Sequence, residues 1–246
     1  MHADPAQQRR LLDLQQADTA LTQLTHRRNN LPQTAELTRL RDTVNGITDR
    51  RARHEATVSD LERDIGRVER EIDQVRKRAD RDRERQESGA ATAKELSGLG
   101  HELQTLARRQ SELEDQELDL MEQRETAQRE VDSAAAELSE STAALADLEA
   151  QRDAAAAELD LQLSAQRTAR DAIVAAITDT DLLALYDRIR RTKPIAVALL
   201  RHRRCESCRI EQSGGELAEL RAAAPDDVVR CDNCRAILIR GEESGL

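Results

Sequence analysis

The sequence predicts a mainly α protein: a long antiparallel coiled-coil hairpin followed by a small C-terminal module with short β-strands. Three observations carry that expectation. Apolar residues recur at three- and four-residue steps through much of residues 40–148, the only four cysteines form two close pairs near the C-terminal end, and aromatic residues are almost absent. With no Phe, no Trp and one Tyr, the chain lacks the bulk on which a large globular core draws. A chain that is 35% charged and dominated by Ala, Leu, Glu, Asp, Arg and Gln suits long paired helices instead.

The first element is a short helix over 6–29, in which Leu11, Leu14, Leu21 and Leu24 keep a heptad spacing until Pro32 interrupts. The first hairpin arm follows at 34–87. Its stripe runs Leu40, Val44, Ile47, Val58, Leu61, Ile65, Val68, Ile72, Val75, broken by Arg51 and His54 at core-type positions. Residues 88–92, Ser-Gly-Ala-Ala-Thr, form the reversal, because Gly89 takes a left-handed conformation at little steric cost. The second arm, 93–176, carries Leu96, Leu99, Leu103, Leu106, Leu113, Leu120, Ala127, Val131, Ala134, Leu138, Leu145 and Leu148, with polar breaks at Gln110, Glu117, Arg124 and Ser141. A reversal at 88–92 pairs Ile72 with Leu106, Ile65 with Leu113 and Val58 with Leu120. The competing arrangement is two helices that pair with a second copy of the chain, since heptads alone do not name the partner. Continuing the register lays the short helix against residues 150–175. An arm of this length spans about 125 Å at 1.5 Å per residue, so residues 1–178 are expected as a helical rod and 179–246 as a small head.

In the head, Asp179-Thr180-Asp181 supplies N-cap side chains for a linker helix bearing Leu182, Leu183, Leu185, Tyr186 and Ile189, which ends at Lys193-Pro194. Strands are expected at Ile195–Leu200, Val228–Val229 and Ile237–Ile239, with a loop at Gly214-Gly215 and a helical turn or two over Glu216–Arg221. The strands feed two echoing segments, Arg204-Cys205-Glu206-Ser207-Cys208-Arg209 and Arg230-Cys231-Asp232-Asn233-Cys234-Arg235, set twenty-two residues apart between the cysteine pairs. Two Cys-x2-Cys turns at this separation complete a tetrahedral thiolate shell, so Cys205, Cys208, Cys231 and Cys234 are the expected ligands of one structural Zn²⁺ in a C4 zinc ribbon. All four positions are then taken by protein. Two disulfides are the competing reading, and iron also accepts such a shell. Residues 1–16 contain no apolar signal region, which predicts a reducing, cytoplasmic compartment where paired thiols serve metals. A head this small needs the metal for much of its folding free energy.

Charge is unevenly placed. The chain carries −10 overall, yet residues 181–246 hold twelve basic and eleven acidic residues. Arg204, Arg209, Arg230 and Arg235 flank the cysteines and are expected to support the thiolates electrostatically. Arg188, Arg190, Arg191, Lys193, Arg201 and Arg203 form a basic cluster that could follow a phosphate backbone. No Phe or Trp is available for base stacking, and Tyr186 sits on an apolar helix face as a core residue. No apolar run is long enough to cross a membrane, no Gly-rich phosphate loop or nucleophile–base set occurs, and the five histidines show no ligand spacing.

The hairpin, the Leu185–Arg190 stretch Leu-Tyr-Asp-Arg-Ile-Arg, the Lys94–Leu103 segment after the turn and the four-cysteine ribbon ending in Ile237-Leu238 together resemble the bacterial C4-type zinc-ribbon coiled-coil family. The resemblance implies Cys205, Cys208, Cys231 and Cys234 as zinc ligands. It also implies a regulatory or chaperone-like adaptor role, which in relatives is connected with flagellar or secretion systems and with transcription or RNA. One departure is Arg235, where the family pattern has glycine after the last cysteine. The expected function is therefore a non-enzymatic adaptor that binds protein partners through the coiled coil. The alternatives are RNA or DNA binding through the basic ribbon region, or an RNA polymerase-binding hairpin factor, against which the mixed-sign tip (Arg83, Glu84, Arg85, Glu87) argues.

Overall fold

The computed structural model describes residues 1–246. Five α-helices, α1 (Pro5–Asn29), α2 (Pro32–Glu87), α3 (Ala93–Ala176), α4 (Thr180–Arg190) and α5 (Gly214–Ala222), accompany four strands, β1 (Val197–Arg201), β2 (Arg204–Cys205), β3 (Val229–Arg230) and β4 (Ile237–Ile239), and a closing 3-10 turn at Glu242–Ser244. The expected elements stand within a few residues of their predicted bounds; β2 and the 3-10 turn were not anticipated. The chain divides into two compact units, Ala35–Ala150 and Met1–Thr34 with Gln151–Leu246.

Within Ala35–Ala150 the two arms fold on each other in one chain. Gly89 turns with φ +69, and Thr92 begins α3 through a capping box: Glu95 N–H donates to Thr92 Oγ1 (3.4 Å) and Thr92 N–H donates to Glu95 Oε2 (2.8 Å). The seam register differs from expectation by one heptad. Ile72 and Val68 pack with Leu113, and Val58 packs with Ala127 and Val131, whereas the sequence suggested Leu106 and Leu120. A shift of seven residues leaves every apolar side chain on the seam, so periodicity cannot choose between the two registers. Pairs across the seam lock the observed one: Arg78–Glu102 (2.5 Å), Arg76–Glu114 (2.6 Å), Arg124–Glu62 (2.9 Å) and Arg109–Glu71 (3.2 Å), with Arg50–Glu137 and Arg41–Glu149 beyond. Arg124 thus reads as a seam break yet reaches an ion pair. Each pair is exposed and adds little stability alone, but like charges in the wrong register would oppose it.

The other unit is built on a four-stranded sheet in the order β2-β1-β4-β3, with β1 and β4 parallel and the outer pairs antiparallel. Alternate side chains of a strand point to opposite faces, and here both faces are apolar. Val197, Ile237 and Ile239 join Leu11, Leu14, Leu182, Tyr186 and Ile189 on one side; Ala198, Leu200 and Leu238 join Cys205, Cys231, Leu217 and Leu220 on the other. Helix α1 therefore belongs with the sheet, while the sequence-based boundary at 178 grouped it with the hairpin. Leucine spacing announces an apolar face without saying what covers it. Two glutamines of α1 reinforce the contact: Ala196 N–H donates to Gln15 Oε1 (2.7 Å), and Gln8 Nε2 donates to Ala3 O (2.9 Å) and Asp226 O (3.2 Å). The expected packing of this helix on residues 150–175 also occurs, through Arg170–Asp18 (2.5 Å) and Arg28–Asp160 (3.3 Å).

The register is open to a direct test. Under mild oxidation an Ile72→Cys, Leu113→Cys double variant should cross-link within one chain, while Ile72→Cys, Leu106→Cys should not; the reverse outcome on non-reducing gels would restore the shorter register.

Candidate metal centre

The two Cys-x2-Cys turns are near copies of each other. Cys205 N–H donates to Ile210 O (3.1 Å) and Arg209 N–H to Cys205 O (2.7 Å); in the second turn Cys231 N–H donates to Ala236 O (2.9 Å) and Arg235 N–H to Cys231 O (2.7 Å). Both turns place an arginine in the left-handed region, Arg209 at φ +62 and Arg235 at φ +64. That conformation costs a non-glycine residue about 1–2 kcal/mol. Arg235, the departure from the family's glycine, thus keeps the glycine's backbone conformation.

These turns bring the four Sγ atoms within 4.8 Å of one another. Cys205 and Cys234 lie 3.7 Å apart and Cys208 and Cys231 3.8 Å, far beyond a disulfide bond. A tetrahedral ion with sulfur at about 2.3 Å sets neighbouring sulfurs about 3.8 Å apart, so the cluster fits one structural Zn²⁺. Burial pushes the Cys205 and Cys208 thiols up, against backbone N–H donors from Ser207 and Cys208 to the first and from Ile210 to the second. At Cys234 burial acts the same way, but donors from Ala236 N–H, Ser207 and neighbouring thiols outweigh it and bring the thiol down. Those N–H groups are oriented to stabilise thiolates once a cation draws the protons off.

The flanking arginines make contacts of their own. Arg204 pairs with Glu211 (3.6 Å), Arg230 donates to Arg235 O (2.9 Å), Arg235 lies by Asp232 (3.4 Å), and Arg209 is exposed. The side chain that does reach sulfur is the buried Gln212, whose Nε2 stands 3.7 Å from Cys231 Sγ and also donates to Ile210 O (3.3 Å). Lys193 donates to Cys234 O.

The wider basic cluster is similarly engaged. Arg190 donates to Thr22 Oγ1 (2.9 Å) and approaches Asp18 (3.9 Å). Arg201 holds Glu243 (2.5 Å), and Arg203 donates to Gly245 O (3.3 Å). His202 and Arg203 form the two-residue turn between β1 and β2, both with positive φ, a turn that ordinarily selects Asn-Gly. The 3-10 turn clamps it: His202 N–H donates to Glu243 O (2.7 Å) and Arg203 N–H to Ser244 O (2.9 Å). Arg188 and Arg191 alone among the six have no partner side chain or carbonyl.

A CT398-like coiled coil hairpin domain matches residues 14–194, and a C4-type zinc ribbon domain matches residues 204–238. This chain belongs to the CT398-like coiled-coil hairpin family. Rv2229c of Mycobacterium tuberculosis, an uncharacterized protein, is 42% identical over 98% of both chains. A solved Mycobacterium smegmatis structure superposes with a TM-score of 0.86 at 40% identity, covering 98% of this chain and all of that one. CT398 from Chlamydia trachomatis superposes at 0.70 with 19% identity, covering 96% and 98% of the two chains, a likeness of fold.

In this CT398-like chain Asp18, like the buried Gln8, Gln15 and Gln212, carries no signal in the sequence. It is nearly buried where α1, α3 and α4 meet, accepting from Tyr186 Oη (2.7 Å) and Arg170 Nε (2.5 Å). Burial, then the bond to Asp18, pushes the Tyr186 phenol far up, so it stays a neutral donor. Tyr186 is core, as expected. No local pattern flags Asp18, because its partners lie more than 150 residues away.

Two outcomes follow for this unit. Asp18→Ala strands a buried hydroxyl and a guanidinium and should lower the unfolding free energy by about 3 kcal/mol, against about 1 kcal/mol for Tyr186→Phe, read by denaturant titration. Chelation of zinc should expose four reactive thiols and release the knuckles while leaving most helical circular dichroism in place, because the α1–α4 side of the sheet holds no sulfur; binding should weaken as pH falls, since protons compete for the thiolates. Wholesale loss of helix on chelation would contradict the two-faced sheet.

Proposed function

We propose that this protein is a non-enzymatic adaptor or regulatory protein, in which the ribbon unit is a structural end and the hairpin offers helix surfaces to protein partners. In this reading Cys205, Cys208, Cys231 and Cys234 are the ligands of the structural Zn²⁺. Four thiolates leave no open position for water or substrate, which supports a structural and not a catalytic metal. The matched families are a coiled coil and a zinc ribbon, with no catalytic family among them. No helix is long and apolar enough to cross a membrane.

The observation that carries the reading is the internal engagement of the cations. Phosphate contact needs free, clustered Lys and Arg, yet Arg190, Lys193, Arg201 and Arg203 each bond within the fold. Within that cluster RNA or DNA binding then rests on Arg188 and Arg191, too few for a steeply salt-dependent grip. The polymerase-factor alternative gains nothing at the tip, where Glu95 is engaged in capping Thr92.

Affinity capture from the native cell, with and without nuclease, tests this. The adaptor reading expects the same proteins in both samples and little change on Arg188→Gln, Arg191→Gln; loss of all partners after nuclease would replace it with nucleic-acid binding.

A further inference from the structure

Helix α3 carries an apolar pair that nothing in its own unit covers. Leu113, Leu120 and Ala127 mark the face turned to α2. Leu118 lies two residues from Leu120, roughly 200° around the helix, and Met121 stands one turn on from Leu118. They are 59% and 49% exposed, in a chain whose large apolar side chains are mostly covered. Scattered single exposures are ordinary; two on one turn of one face are not scattered.

The surroundings decide what fits. Residues 110–123 contain six Asp and Glu and no Lys or Arg; beyond them Arg124 pairs with Glu62 (2.9 Å), and Arg129 donates to Thr126 Oγ1 (3.2 Å) and Glu125 O (3.4 Å). Glu114 is paired with Arg76 (2.6 Å) across the seam, and Glu112 lies near Arg109 (3.8 Å). Asp115, Glu122 and Glu125 are exposed and share the outward face with Leu118 and Met121. Nucleic acid and anionic lipid are repelled by such a patch, and a second copy of this chain would bring the same carboxylates against it. A helix with leucine-like residues on one stripe and Lys or Arg beside them complements both features.

We propose that the outward face of α3 around Leu118 and Met121 is a docking surface for a basic amphipathic helix of a protein partner. The proposal rests on the adaptor reading and names the chemistry of its partner. Leu118 and Met121 enter the partner's apolar stripe, and Asp115, Glu122 and Glu125 face its cations.

The test uses the full zinc-loaded chain and a labelled synthetic leucine–lysine peptide with leucines at helical spacing, followed by fluorescence anisotropy at near-physiological salt. Leu118→Gln, Met121→Gln should weaken binding roughly tenfold or more, and Asp115→Asn, Glu122→Gln, Glu125→Gln should weaken it and flatten its salt dependence. Leu161→Gln, at a site 73% exposed elsewhere on α3, should change nothing. All sites are solvent-facing on a helix, and unchanged circular dichroism confirms that the variants fold. Equal binding of a scrambled peptide, equal loss in Leu161→Gln, or self-association abolished by the Leu118 and Met121 changes would overturn the proposal. If that double variant still captures the nuclease-resistant protein partners, the adaptor reading stands and this surface alone falls.

Discussion

A sheet only a few residues wide with apolar side chains on both faces is the constraint around which this protein is organised. β1 and β4 alternate strictly, sending Ala198, Leu200 and Leu238 toward the sulfurs and Val197, Ile237 and Ile239 the other way. Sulfur and metal can close one face only. The opposite face would meet water unless helices covered it, and α1 with α4 does so through Leu11, Leu14, Leu182 and Ile189. The expectation that the metal supplies much of the module's folding free energy concerns one side of the sheet: metal organises that side, and ordinary hydrophobic burial organises the other.

The sequence is legible wherever a local rule has one solution. Pro32 starts α2, Gly89 turns the chain, and Asp179 caps α4 with bonds to Asp181 N–H (3.1 Å) and Leu182 N–H (2.9 Å). The cysteine spacing points to a four-thiolate site, and the sulfur separations set aside the competing disulfides. Legibility fails where a rule is degenerate or the partner is distant. Heptads look the same after a shift of seven, and Leu11 and Leu14 look the same whether they face another helix or a strand. Asp18 resembles any surface carboxylate until three helices close on it.

The arginines illustrate a third limit. Proximity to cysteine in sequence suggested a charge role, but what Arg209 and Arg235 contribute is backbone: each occupies the left-handed corner of a knuckle, and His202 and Arg203 occupy another strained turn. All four non-glycine residues with positive φ lie in the ribbon. Strain of this kind persists only where surroundings over-determine it, and the knuckle bonds and the 3-10 clamp supply that determination. The basic residues here take part in how the loops are held. The acidic, partly apolar outer face of α3 is the more unusual surface.

The position of α1 has a consequence for assembly. Its leucines are translated some two hundred residues before Val197, Ile237 and Ile239, on which they settle. Contacts of such separation form late, since the intervening chain must first be gathered. Until then a nascent α1 presents a greasy stripe with no home, vulnerable to mispairing or to capture by a chaperone. The strands that seat this helix would thus be made only after both hairpin arms.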